Sequence, residues 1–165
     1  MTNEPSATNI KPSRVLIGYD GSEEAKRAAR LAGALVPDGL AVVLHVFSSM
    51  APWLGVPAAP GPIPPPVDLE AEASRIERHA NELAREGADL AEAAGLRATP
   101  TVVDAPGTSG AWSTIVRLAE EHDVDLIVVG SRGRSGLKAA LLGSVSNGVM
   151  HHAARPVLVV PHHAD

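Results

Sequence analysis

The stretch DLIVVGSRGRSGLKAALLGS, residues 125–144, joins an apolar run directly to a segment rich in glycine. An uninterrupted run of Leu, Ile and Val is typical of a strand that is covered on both faces. The glycines that follow favour a loop whose backbone N–H groups can approach a phosphate. The segment fits neither of the usual phosphate loops, because it contains no GxxxxGK[ST] and no GxGxxG.

Apolar runs of similar length recur along the chain and predict a set of strands. Four of them are nearly continuous in Val, Leu and Ile, which indicates a parallel sheet. The third alternates more and contains Pro100, which cannot donate a ladder hydrogen bond and therefore favours an edge strand. The predicted strands are 15–19, 40–47, 96–103, 125–130 and 156–160.

Helical patterns separate these strands. Asp20 or Ser22 can cap a first helix, and apolar residues at three- and four-residue steps from Leu69 to Ala94 predict a long second helix. That spacing allows a coiled coil, but the many alanines favour a helix packed on a sheet. A third helix is predicted over 109–122, and a fourth begins near Gly143. The alternation predicts one α/β domain, a doubly wound parallel sheet with helices on both faces, Rossmann-like or flavodoxin-like.

Composition restricts the function classes. Aromatic residues are 2% of the 165 residues, so the core must be aliphatic. The net charge of −5 argues against nucleic-acid or anionic-membrane binding, which need a basic surface. With no cysteine, disulfides and thiol catalysis are excluded. The adjacent pairs His151–His152 and His162–His163 have poor chelating geometry, so we predict no metal site. No catalytic residue is predicted either.

The two chain ends and one connection differ in composition from the predicted domain. Residues 1–12 are polar without a signal-like apolar stretch and predict a disordered tail before a domain at 13–161, with a short tail at 162–165. No apolar run approaches the length of about 18 residues that spans a membrane. We therefore expect a cytoplasmic protein. The proline-rich insertion at 48–67 is either a surface loop or a flap that brings Trp53 to a site.

Ligands of open parallel sheets bind at the carboxyl ends of the strands. Gly130 and Gly133 would let the backbone turn sharply after the fourth strand, and Gly143 with Ser144 would open the following helix. Two interpretations remain open from the glycines alone. One is a polyphosphate held from two sides, and the other is a tight turn followed by an ordinary serine N-cap.

The spacing G-x2-G-x9-G-S, from Gly130 to Ser144, resembles the nucleotide-binding signature of the universal stress protein family, in its ATP-binding branch. The flanks VLIGYDGSEEAKRAARLA, LHV and VSNGVMHHAARPVLVVP are also similar to that family. The resemblance covers about residues 13–161, and the insertion at 48–67 is its least similar part. It implies the strand order 3-2-1-4-5 and a homodimer formed through the last strand, 156–160.

The resemblance also implies roles for matched residues. Asp20 would contact the ribose, and the backbone of Val46 would meet the adenine. Phosphates would lie against Gly130, Gly133, Gly143 and Ser144, with Arg132 a candidate for pairing with them. The full candidate set is Gly18, Tyr19, Asp20, Val46, Val129, Gly130, Arg132, Gly133, Gly143, Ser144, Val145 and Ser146.

Three functions follow from these residues. The first is a stress-response regulatory protein that binds ATP, or else ADP, AMP or cyclic AMP, with Mg²⁺ as a possible companion. The second is a slow ATP hydrolase or nucleotidyl-transfer enzyme, for which Asp20 and Asp104 are the candidate carboxylates at the rim. The third is a dimeric interaction protein that needs no nucleotide.

Overall fold

A computed structural model describes residues 12–49, 68–105, 110–133 and 142–162. The predicted tails lie almost wholly outside these ranges, as do Trp53 and most of the predicted insertion. Strands and helices alternate along the chain. They are β1 (Arg14–Gly18), α1 (Glu23–Leu35), β2 (Leu40–Phe47), α2 (Leu69–Ala93), β3 (Arg97–Asp104), α3 (Gly110–Glu121), β4 (Leu126–Gly130), α4 (Ser144–His152) and β5 (Val157–Val160).

The strands form one parallel sheet in the order β3-β2-β1-β4-β5, which confirms the predicted fold class and strand order. Pro100 lies in β3 at the edge of the sheet, as predicted. The amide of Ala105 donates to Phe47 O of β2, so the backbone N–H and C=O groups of odd-numbered β3 residues point toward β2. The nitrogen of Pro100 therefore points away from the sheet, where its missing proton breaks no ladder bond.

Helices cover the sheet in two layers. Buried residues of α1 and α2 pack on one face with Val15, Ile17 and Val43, whereas those of α3 and α4 pack on the other with Leu16 and Leu44. Neighbouring residues of a strand point to opposite faces, which is why both cores draw on the same strands. The chain changes face between β1 and β4, and this change leaves a crevice at their carboxyl ends.

The helix caps and buried faces refine the sequence analysis. Ser22, not Asp20, is the N-cap of α1, and its hydroxyl accepts from Ala25 N.

The buried face of α2 was predicted only in part, because the side chain of Leu69 lies in solvent. The buried positions of α2 are Ala80, Ala84, Gly87, Ala88 and Ala91. These residues are small because the helix lies close to the sheet: a Cβ at Gly87 would be 2.7 Å from Tyr19 Cγ.

Candidate functional site

A cavity of about 180 Å³ lies at the carboxyl ends of β1, β2 and β4. All twelve residues of the sequence-predicted set line it. The described lining also contains Leu44, His45, Ala111 and Ile115, which the sequence analysis did not select. Leu44 is paired with Gly18 in the sheet, and Ala111 and Ile115 lie on α3 above it. Finding them required the strand register and the helix position, neither of which a motif carries.

The two glycine segments meet at Ser131. The amide of Gly143 donates to the carbonyl oxygen of Ser131 over 2.7 Å. The buried hydroxyl of Ser146 donates to that oxygen over 3.0 Å and also lies 3.0 Å from Gly143 O. The hydroxyl of Ser146 is therefore engaged in holding α4 to the end of β4, and its backbone N–H remains the group that can face a ligand.

The glycines are required for close approach rather than for an unusual backbone. The chain bends after β4, at Ser131 and Arg132, as expected, but the φ angles of Gly130, Gly133 and Gly143 all lie outside the left-handed region, so the bend does not depend on a conformation reserved for glycine. A Cβ at Gly130 would lie 2.8 Å from Glu24 Cβ, closer than carbon atoms pack. At Gly133 it would lie 2.7 Å from Asp20 Oδ2. The loop after β4 thus runs directly against the start of α1.

The N-terminus of α4 is open toward the cavity. Gly143 is its N-cap and offers no side-chain acceptor, so the serine N-cap considered from the sequence is not formed. The first intrahelical donor beyond the cap is Asn147 N, which bonds Gly143 O. The N–H groups of Ser144, Val145 and Ser146 consequently have no acceptor within the helix, and the positive end of the helix dipole lies with them.

Asp20 supplies a carboxylate at the rim. Its Oδ1 accepts from Ser22 N at 3.0 Å and from Ser22 Oγ at 2.6 Å, which fixes the carboxylate between β1 and α1. Its Oδ2 lies on the side of Gly133. The other candidate carboxylate, Asp104, accepts from the amide and hydroxyl of Ser49 and does not line the cavity.

The end of β2 exposes backbone groups to the cavity. Tyr19 N donates to Leu44 O, so the backbone N–H and C=O groups of even-numbered β2 residues point toward β1. β1 ends at Gly18, opposite Leu44. The N–H and C=O of Val46 therefore point into the space beyond the end of β1, where they can form the donor and acceptor pair that a flat heterocycle requires.

His45 and Tyr19 are joined by a hydrogen bond and have structural roles. His45 is buried, and its Nδ1 donates to Tyr19 O over 2.7 Å, so it is a hydrogen-bonded structural histidine. The ring of Tyr19 packs on Gly87 at the opposite face of the sheet, so only its backbone lines the cavity. Burial, with a contribution from the Glu86 carboxylate, raises the pKa of the Tyr19 phenol far above its usual value.

Within the described residues, no group of three or more His, Asp or Glu side chains is arranged to hold a metal ion. None of their helices is both long and apolar enough to cross a membrane.

Comparison with known proteins places the chain among relatives of the same architecture. The family model described as "Universal stress protein family" matches residues 12–161. Universal stress protein Rv2623 of Mycobacterium tuberculosis is 33% identical over 150 residues, which cover 88% of this chain and 46% of that relative. The chain thus spans about half the length of that relative.

Solved structures share the fold. The protein MJ0577 of Methanocaldococcus jannaschii superposes with a TM-score of 0.74 at 23% identity, over 94% of this chain and 100% of the other. A universal stress protein solved in complex with cAMP has a TM-score of 0.58 and 26% identity, over 92% and 98% of the two chains.

Proposed function

Because the chain belongs to the universal stress protein family, we propose that it is a stress-response regulatory protein that binds ATP or a closely related adenine nucleotide in this cavity. The observation that carries the proposal is the convergence in one cavity of both glycine segments, the Asp20 carboxylate and the open backbone of Val46. A tight turn with a helix cap would explain the glycines, but it would not require these other groups to face the same space.

Each part of the nucleotide has a matching partner. The adenine edge presents an acceptor and a donor to the backbone of Val46, and the apolar side chains of Ile115 and Val129 lie against its faces. The ribose hydroxyls donate to Asp20. The phosphates accept from the N–H groups at the start of α4 and from the segment Gly130–Gly133.

The charges suit an anion of this size. The cavity sits at the positive end of α4, and Arg132 is one of its lining residues. A guanidinium can bond two phosphate oxygens at once. The solved relative bound to cAMP supports an adenine nucleotide in a chain of this fold. Our proposal of ATP goes further, and it rests on the two separated glycine segments, which offer more donors than one phosphate uses.

We propose binding rather than rapid hydrolysis. Fast phosphoryl transfer needs a group that orients the attacking water and usually a held Mg²⁺. Among the described residues that line the cavity, Asp20 is the carboxylate, and Ser22 already occupies one of its oxygens. With Asp20 assigned to the ribose, a Mg²⁺ ion that accompanied the nucleotide would be held mainly by phosphate oxygens and water. Slow hydrolysis is compatible with this arrangement.

A homodimer through β5 forms part of the proposal. Val160 O accepts from Ser131 N, and Pro156 O accepts from Ile127 N. The backbone hydrogen-bonding groups of even-numbered β5 residues therefore point toward β4. The N–H and C=O groups of Val157 and Val159 consequently point outward from the edge of the sheet. An apolar edge with free backbone groups is a template for a second strand, and pairing with a second copy of this chain covers it.

Nucleotide titration is the test. The purified protein is denatured and any released adenine nucleotide is identified, and a nucleotide-free sample is then titrated with ATP, ADP, AMP, cyclic AMP and adenosine by calorimetry. We expect binding that strengthens with the number of phosphates. A folded sample that binds none of these ligands refutes the proposal and favours an interaction protein that needs no nucleotide. Multiple turnovers by clean protein would instead identify an enzyme.

A further inference from the structure

The segment after β5 is fastened across the start of α1 by contacts that the proposed ligand does not use. Arg27 Nη1 donates to Pro161 O over 3.0 Å. The amide of His162 donates to Ser131 Oγ over 3.1 Å, and His162 Nδ1 lies 2.7 Å from Glu24 Oε1. We call Pro161–His162 the strap.

Glu24 is a buried acidic residue that packs against a residue lining the proposed anion site. Its carboxylate side chain is only 9% exposed, and its Cβ lies against Gly130, which lines the cavity. A buried carboxylate near phosphates repels them unless its charge is screened, since Coulomb energies rise as the local dielectric falls. In the described residues, the hydrogen bond from His162 Nδ1 is the side-chain contact that offsets this charge, together with the N-terminal end of α1.

Ser131 connects the strap to both halves of the site. Its hydroxyl accepts from the amide of His162, and its carbonyl accepts from Gly143 N and from Ser146 Oγ. Its own amide donates to Val160 O. A displacement of the strap therefore changes the position of Ser131, and with it the spacing between the glycine segments.

We infer that the strap is a positioning element of the phosphate site, in which His162 screens the Glu24 carboxylate and holds Ser131 so that the site accepts highly charged nucleotides. The inference rests on the proposed function, and it explains how the site would distinguish nucleotides that carry different numbers of phosphates. His162 acts through Glu24 and Ser131, not by touching the ligand.

The test compares His162→Ala, His162→Gln and the double variant Glu24→Gln/His162→Ala with the wild-type chain. A matched control is His79→Ala, which removes another His–Glu contact, His79 to Glu82 at 3.7 Å, on an exposed surface of α2 away from the cavity. Affinities for adenosine, AMP, ADP and ATP are measured by calorimetry, and thermal unfolding is followed for every variant.

We expect His162→Ala to weaken ATP binding about tenfold, within the range of coupling between contacting residues, and adenosine binding less than about twofold. The loss should grow from AMP to ATP. His162→Gln, whose amide can still donate to Glu24, and the double variant, which removes the buried charge, should each recover most of the affinity. His79→Ala should match the wild type.

Two results overturn the inference. One is ATP affinity unchanged in a folded His162→Ala protein. The other is an equal loss for adenosine and ATP that the double variant does not recover, because that pattern indicates general disruption. If the wild-type chain binds no nucleotide, the proposed function itself has failed, so the two failures are distinguishable.

Discussion

Gly143→Ala should separate ligand binding from folding. Gly143 has φ −74° and ψ 165°, a backbone conformation open to any residue. A Cβ there would lie 3.4 Å from Ser131 O, 3.6 Å from Arg132 Cα and 3.9 Å from Gly133 N, which are ordinary contact distances. The protein can therefore accommodate the methyl group. We expect the free energy of unfolding to change by less than about 1 kcal/mol, since alanine is a somewhat poorer N-cap than glycine but restricts the unfolded chain.

The same methyl group occupies space that the proposed phosphate needs. It stands between the N-terminus of α4 and the amide of Gly133, the two sides from which we propose that phosphate oxygens are bonded. Losing one hydrogen bond to a charged group costs about 1.5–3 kcal/mol, which raises the Kd for ATP by about 10- to 150-fold. Adenosine, which has no phosphate, should bind with nearly unchanged affinity. Gly143→Val should have a larger effect of the same kind.

Gly130→Ala is the contrasting substitution, since it changes the first glycine of the same motif but is expected to act mainly on folding. Its Cβ would lie 2.8 Å from Glu24 Cβ and 3.3 Å from Ala25 N, so α1 must shift. We expect a loss of about 1–3 kcal/mol in the free energy of unfolding, as for other overpacked sites. Calorimetry and denaturant unfolding on both variants provide the comparison. A folded Gly143→Ala protein that binds ATP within twofold of the wild type would refute the assigned phosphate site.

Three further predictions concern stability and assembly. Backbone hydrogen bonds from the start of β1 lower the pKa of Asp125, so Asp125→Asn should reduce stability by about 1 kcal/mol at pH 7. That difference should narrow as acid protonates the wild-type carboxylate below about pH 4, and denaturant unfolding at pH 7 and pH 3 measures it. Gly33→Ala places a Cβ on the Ala94 carbonyl oxygen and should lower stability by about 2 kcal/mol or more, seen as a lower Tm; an unchanged Tm would contradict the α1–α2 contact. Val159→Pro removes an outward N–H of β5 and should give a folded monomer by light scattering, whereas a persisting dimer would argue against pairing through β5.

Strong local patterns explain why so much of the fold could be predicted. Continuous Val, Leu and Ile runs identified the parallel strands, and Pro100 within the third run identified β3 as an edge strand. The buried face of α2 was harder to predict, because its leucines favoured a larger apolar face than the one that is buried. A small residue is required at Gly87, where a Cβ would lie 2.7 Å from Tyr19 Cγ and 2.8 Å from Val43 Cγ1, and the buried residues Ala84 and Ala88 of the same helix are also small. Such packing depends on the distance between layers, which periodicity does not contain.

Some residues of the candidate site could be predicted from the motif, whereas others depend on the fold. The motif identified both glycine segments, but the roles of Leu44 and Ile115 depend on strand register and on where α3 lies. Tyr19 was included through its place in the sequence, although its ring lies on the far side of the sheet. The contact between His162 and Glu24 joins residues 138 positions apart. No local signal could have indicated it.

The glycine motif itself reflects two different requirements. Gly130 lies against Glu24 and Gly133 against Asp20, so packing of the loop on the start of α1 already accounts for glycine at both positions. Packing does not account for Gly143, because a Cβ there meets only ordinary contacts and its backbone conformation suits any residue. Serine or aspartate at this N-cap would have stabilised α4 further. A small residue at that position is therefore best explained by something outside the chain that must approach the helix end, and this makes Gly143 the position at which a bound phosphate is most directly tested.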